Sequence, residues 1–191
     1  MDKRVEHFTW TAILAALVAL LGMTPLGLIP LGFINVTILC VPVILGTLLL
    51  GLRTGLILGA VFGAISTARM FMAPSALVAP LLGANTALAV IMCILPRLLI
   101  PVVAHLSYKS LLKGRFAKIA PAIASACGSL TNTVFYLGLM LVFYQMAGLD
   151  STAVRALILG TGLIAGTSEA VVAALLVPPI LIAVKKMMKR A

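Results

Sequence analysis

The chain has 191 residues, of which 63% are hydrophobic and only 9% are charged, and its mean hydropathy is +1.25. Soluble domains carry about 25% charged residues, so this composition excludes a water-soluble protein and predicts an all-α integral membrane protein. The length accommodates about six helices of ~20 residues, which we interpret as one transmembrane domain over residues 1–191.

Apolar runs separated by glycine, proline and charged residues predict six transmembrane helices. The first run lacks a convincing cleavage site, which favours a retained helix over a signal peptide. The last run contains Pro178 and Pro179, where we expect a bend. The predicted spans are residues 8–23, 35–50, 54–70, 86–108, 119–146 and 151–184.

Two predicted connections, residues 23–34 and 71–85, are apolar but rich in proline and glycine. Irregular backbone at membrane depth is tolerated only where protein buries it or where it lines a cavity. We therefore expect irregular outward-facing loops that cap the helices. They form either a plain cover or a gate over a ligand pocket.

Basic residues are concentrated on one side of this predicted topology. Eleven of the 14 lysines and arginines lie there, so the positive-inside rule places both termini in the cytoplasm. Anionic lipid headgroups then account for the net charge of +10 without a nucleic-acid partner. Orientation leaves three basic residues unexplained, namely Arg69, Arg97 and Arg155.

Arg97 is the most costly of these three residues, because it lies inside the apolar fourth span. An arginine at the centre of a membrane helix costs at least about 2.5 kcal/mol. Counting along the helices places Asn132 and Glu169 at a similar depth. Arg97 and Glu169 form either a structural ion pair or part of a site in which Arg97 faces a carboxylate. Further candidate ligand contacts are Asn85, Thr131 and Tyr136.

Small residues recur every four positions on two predicted helices. Such spacing lets helices approach closely in lipid. On the first helix it is compatible with internal packing or with docking of another protein, and its residues are Ala12, Ala15, Ala16 and Ala19. On the third helix it predicts internal packing, and its residues are Gly51, Gly55, Gly59 and Gly63.

The sequence contains no motif that indicates catalysis or a cofactor. It has no phosphate-binding loop, no GxSxG and no HExxH, and its three cysteines lack metal-ligand spacing. Its four acidic residues provide no ion-coupling relay beyond Glu169. We therefore expect a substrate-binding subunit that is not an enzyme, holds no metal or cofactor and depends on another protein for energy.

Three segments carry a family resemblance: TPLGLIPLGFINVTILCVPVILGTLLLGLRTGLILGAVFGAIS, LPRLLI and GSLTNT. They resemble the S-components, the substrate-binding subunits, of energy-coupling factor (ECF) vitamin transporters. The resemblance implies a multi-pass protein of the bacterial plasma membrane that captures a vitamin outside and topples to release it inside. It also implies that the alanine face of the first helix docks on a transmembrane coupling subunit of the EcfT type. Two cytoplasmic ATPases use the ATP in such an assembly.

The first loop, together with PRLLI and SLTNT, looks most like the pantothenate branch of this family. Pantothenate carries a carboxylate, which suits Arg97. The hydroxymethylpyrimidine and pyridoxine branches share this loop style and are alternatives. Outside the family, the alternative is a self-sufficient secondary carrier of small organic anions in which Glu169 couples a proton.

Overall fold

A computed structural model describes residues 3–24, 27–31 and 34–188 of the chain, and most of these residues are helical. Two short antiparallel strands, β1 (Leu28–Leu31) and β2 (Ile34–Thr37), form a hairpin between the first two helices. The helices are α1 (Lys3–Met23), α2 (Cys40–Leu50), α3 (Leu52–Met72), α4 (Val78–Ala84), α5 (Thr86–Leu112), α6 (Ala120–Met146), α7 (Thr152–Leu157) and α8 (Leu163–Met188). Pro25 of the predicted connection 23–34, and Lys189 and Arg190 among the basic residues that set the predicted orientation, lie outside the described residues.

Five of the described helices, α1, α3, α5, α6 and α8, are long and apolar enough to cross a membrane. The predicted second span is wrong at its start, because residues 34–37 form β2 and α2 begins only at Cys40. β-branched residues dominate this segment and favour a strand, and β1 supplies the pairing partner. With 11 residues, α2 is about 16 Å long, roughly half the hydrocarbon thickness.

The two connections predicted to be irregular contain regular structure. The first holds the β1–β2 hairpin, whose pairing satisfies backbone groups that an irregular loop would leave open. The second contains α4. The predicted last span is interrupted by a π-helical segment, Ile158–Gly162, whereas Pro178 and Pro179 lie within α8.

Helix α5 lies at the centre of the bundle and packs against α2, α3 and α6. One apolar cluster joins α1, α2, α3, α5 and α8, and its fully buried members include Val18, Ile44, Leu58, Ile100 and Val177. A second cluster surrounds α4 and includes Leu81, Met92, Met140 and Val154. These two clusters hold the central part of α5 in place.

Gly55, Gly59 and Gly63 on α3 allow this close packing, as predicted. The prediction is wrong for Gly51, which lies before α3 with a φ of 98° and nothing within 4 Å of an added Cβ. A Cβ atom on Gly59 would lie 2.6 Å from the Arg97 carbonyl oxygen, and one on Gly55 would lie 2.7 Å from Pro101 Cβ. Pro101 has no N–H to bond the Arg97 carbonyl four residues earlier. The glycine face of α3 therefore packs on the part of α5 where the helical hydrogen bonding is interrupted.

Replacing Gly59 with alanine should destabilise the bundle. The new methyl group would press on the backbone oxygen of Arg97, and overpacking of this kind costs about 1–3 kcal/mol. Thermal unfolding in detergent should show a lower midpoint for Gly59→Ala. The matched control is Gly138→Ala on α6, where nothing lies within 4 Å of the new Cβ. Equal midpoints for the two variants would contradict this packing.

Candidate functional site

A cavity of about 430 Å³ lies where α3, α5 and α6 meet the end of β2 and the α3–α4 connection. The described lining includes two arginines and no aspartate or glutamate, so the cavity wall is positively charged. The polar and sulfur-bearing side chains of the lining are Thr37, Ser66, Arg69, Met70, Ser75, Cys93, Arg97, Asn132 and Tyr136. A ligand with a negatively charged group fits this lining.

Two aromatic rings and one backbone carbonyl hold the Arg97 guanidinium. Its Cζ atom lies 4.5 Å from the Tyr136 ring centroid and 5.3 Å from that of Phe62, within the range of cation–π attraction. Nη1 donates to the Met92 carbonyl at 3.4 Å. Pro96 cannot bond that carbonyl, because it has no N–H. The proline before Arg97 thus leaves open the acceptor that Arg97 uses.

The other edge of the guanidinium has no protein partner among the described residues. Nε of Arg97 is buried without a hydrogen bond, and the only hydrogen bond of the guanidinium in the described structure comes from Nη1. Nε–H and the neighbouring Nη2–H point in parallel, which is the geometry that binds both oxygens of a carboxylate. Arg97 therefore keeps a two-donor edge that no described protein group satisfies and that matches the two oxygens of a carboxylate.

Asn132 and Ser129, on α6, also carry buried polar atoms without partners among the described residues. Asn132 is 7% exposed and lines the cavity, and its Oδ1 accepts no hydrogen bond. Ser129, one turn earlier, is 1% exposed, and its Oγ has no partner. An unsatisfied buried polar group costs about 1–3 kcal/mol, so Asn132 Oδ1 favours a polar molecule bound in the cavity, whereas Ser129 does not line the cavity.

The structure separates Glu169 from Arg97. The Glu169 carboxylate accepts hydrogen bonds from Thr37 and from Thr133, at 2.8–3.5 Å. No ion pair joins it to Arg97 within the described part of the chain, and Glu169 is not among the residues that line the cavity. The structural ion pair considered above is therefore absent from this conformation.

The remaining candidate ligand contacts differ in position. Tyr136 lines the cavity and packs on Arg97. Asn85 is exposed and caps the start of α5, where its side chain accepts a hydrogen bond from the Leu88 N–H. The Thr131 hydroxyl donates to the Cys127 carbonyl on its own helix. Neither Asn85 nor Thr131 lines the cavity.

Sequence reasoning left other lining residues out of the candidate site. Arg69 lines the cavity and donates from Nη1 to the Gly22 carbonyl at 3.0 Å, near the end of α1. The positive charge of Arg69, which the predicted orientation does not explain, was the signal in the sequence that could have identified it as a site residue. Phe62 and Thr37 gave none, because an apolar ring on a helix and a threonine in an apolar run are common. Only the folded chain brings them into the cavity that Arg97 lines.

The alanine face of α1 divides between the surface and the bundle. Ala12 and Ala16 are exposed, whereas Ala15 and Ala19 are half-buried. Ala15 packs against the core beside Leu14 and Val18 on the inner side of the helix. The exposed pair lies among large apolar side chains that are also exposed, namely Ile13, Leu17 and Leu20.

Comparison with known proteins identifies one family. The sequence matches the family described as "ECF transporter, substrate-specific component" over residues 7–181, nearly its whole length. No curated protein matches the sequence.

The absence of an ion pair predicts how the fold responds to loss of the Arg97 charge. Arg97→Met removes a buried unpaired N–H and keeps an apolar side chain between the two rings. The lost cation–π contact contributes about 1 kcal/mol and the lost long hydrogen bond to the Met92 carbonyl about 1 kcal/mol more, so the unfolding midpoint in detergent should fall by no more than about 8 °C. Breaking a buried ion pair costs about 3–5 kcal/mol. A fall of more than 10 °C would therefore refute the unpaired arrangement.

Proposed function

The chain belongs to the family of ECF transporter substrate-specific components, and we propose that it captures a small vitamin that carries a carboxylate, with pantothenate as the best candidate. Members of this family are substrate-binding subunits of membrane transporters and are not enzymes. The cavity around Arg97 is the binding site in this proposal.

The unpaired Nε edge of the Arg97 guanidinium is the observation that carries the proposal. Nη1 is engaged by the Met92 carbonyl, while Nε is buried without a partner among the described residues. A carboxylate would satisfy Nε and Nη2 together. Arg69, also in the lining, adds a second positive charge, and the described lining offers no acid to compete with the ligand.

Size and polarity support a small ligand of this class. The volume of about 430 Å³ lies within the range of small-molecule sites, about 300–1,000 Å³. Besides its carboxylate, pantothenate carries two hydroxyl groups and one amide. Hydroxymethylpyrimidine and pyridoxine have no carboxylate, so they would leave the Arg97 edge unsatisfied.

We place the protein in the bacterial plasma membrane with six crossings and both termini in the cytoplasm. The β1–β2 hairpin and the short α2 together complete the second crossing in this arrangement. The partners would be an EcfT-type coupling subunit and two cytoplasmic ATPases, which use the ATP. The exposed strip of α1 with Ala12 and Ala16 supports a docking role, because small residues let another helix approach closely.

Arg97→Ala should weaken binding of pantothenate about 100-fold or more, because each hydrogen bond to a charged group contributes about 1.5–3 kcal/mol. Isothermal titration of the purified protein measures this effect, with hydroxymethylpyrimidine and pyridoxine as uncharged comparison ligands. The matched control is Arg155→Ala, since Arg155 is exposed on α7 and does not line the cavity. Equal affinities for Arg97→Ala and the unmodified protein would refute the proposed site.

Ala16→Leu should block assembly with the coupling subunit while leaving pantothenate binding unchanged. The larger side chain would fill the space that a second helix needs on the exposed face of α1. Co-purification with the co-expressed coupling subunit and ATPases measures the assembly. Ala87→Leu on α5 is the matched control, because Ala87 is also an exposed alanine. Normal assembly of Ala16→Leu would contradict docking at this strip.

A further inference from the structure

Glu169 is the only acidic residue within the long helices besides Glu6 near the start of α1. Its Oε1 atom accepts two hydrogen bonds from one residue, the Thr37 N–H at 3.0 Å and the Thr37 hydroxyl at 2.8 Å. Its Oε2 atom accepts a longer one from the Thr133 hydroxyl at 3.5 Å. A charged acceptor roughly doubles the strength of such bonds, so Thr37 is firmly held.

The position of Thr37 in the hairpin explains why an acceptor is needed there. The hairpin closes through the Ile38 N–H, which donates to the Gly27 carbonyl at 3.0 Å. Successive N–H groups of an antiparallel strand point to opposite sides, so the Thr37 N–H points away from β1. An unpaired N–H at membrane depth is costly, and Glu169 on α8 satisfies it.

The same contact determines what Thr37 offers to the cavity. Thr37 lines the cavity, but Glu169 engages both its N–H and the single hydrogen of its hydroxyl. A hydroxyl with its hydrogen engaged presents only lone pairs to another molecule. Asn132 Oδ1, also in the lining, is a second acceptor without a partner among the described residues. The cavity thus combines donors at Arg97 with acceptors at Thr37 and Asn132.

We propose that Glu169 is a positioning residue that fixes the base of the hairpin and leaves the Thr37 hydroxyl able only to accept. The ligand then carries a hydrogen-bond donor, a hydroxyl or an N–H group, in addition to its carboxylate. The statement about the ligand rests on the proposed function, whereas the role of Glu169 in the hairpin does not. Organic acids that lack a hydrogen-bond donor therefore bind more weakly than those that carry one.

Hydrogen–deuterium exchange tests the positioning role without any ligand. Glu169→Leu removes the acceptor and Glu169→Asp withdraws it by one methylene, so amides in the segment 34–38 should exchange at least about tenfold faster. Glu169→Gln keeps an acceptor oxygen and should restore slow exchange. Thr133→Val is the matched control: it removes only the contact to Oε2, so amide exchange in the segment 34–38 should stay slow. Unchanged exchange in the aspartate and leucine variants would overturn the proposal, and the aspartate variant covers the case in which the leucine variant does not fold.

Calorimetry with pantothenate and two analogues tests the ligand statement. One analogue has its hydroxyls replaced by hydrogen, and the other has a methyl group on its amide nitrogen. At least one of the two analogues should bind the unmodified protein about tenfold more weakly than pantothenate does. In Thr37→Val, that analogue and pantothenate should bind with similar affinity. Thr37→Ser should behave like the unmodified protein. Equal losses in the unmodified protein and Thr37→Val would overturn the acceptor role of Thr37. If the unmodified protein binds none of these compounds, the proposed substrate is wrong, and the exchange experiment still decides the role of Glu169.

Discussion

Two prolines bracket Arg97, and the arrangement of the site depends on them. Pro96 leaves the Met92 carbonyl without its helical donor, and the Arg97 guanidinium takes that acceptor. Pro101 does the same to the carbonyl of Arg97 itself, where Gly59 of α3 approaches closely. The sequence of α5 therefore fixes both ends of the arginine. The backbone of Arg97 is fixed where its carbonyl packs against Gly59, and its guanidinium is fixed by the Met92 carbonyl, about one turn earlier in α5.

This arrangement keeps two opposite charges apart inside the bundle. Arg97 is held by a carbonyl and two aromatic rings, and Glu169 is held by hydroxyl and amide donors. Direct pairing would satisfy both groups but would occupy the unpaired edge of the guanidinium. Because neutral groups partner each charge in this conformation, Arg97 retains its attraction for an external anion.

The sequence predicted the parts of this structure that depend on local pattern. The apolar runs predicted the five long helices, and the spacing of Gly55, Gly59 and Gly63 predicted that α3 packs inside the bundle, without naming α5 as its partner. The hairpin at residues 28–37 was not predicted, because its strands are stable only when paired and the apolar run read equally well as a helix. Arg97, Asn132 and Tyr136 were recognised by their cost or their position. Thr37 and Phe62 reach the cavity through contacts between distant segments, which no local pattern records.

The two segments that cover the cavity are attached to the same half of the chain by different interactions. The α3–α4 connection is held by apolar packing of Val78 and by the Tyr144 hydroxyl, which donates to the Leu77 carbonyl. The hairpin is held by two hydrogen bonds from Thr37 to a single carboxylate on α8. The first attachment combines apolar packing with one hydrogen bond to a carbonyl, while the second depends on a single half-buried carboxyl group. The α3–α4 connection is thus fastened to α6 and the hairpin to α8, so the cavity depends on contacts between the first and second halves of the chain.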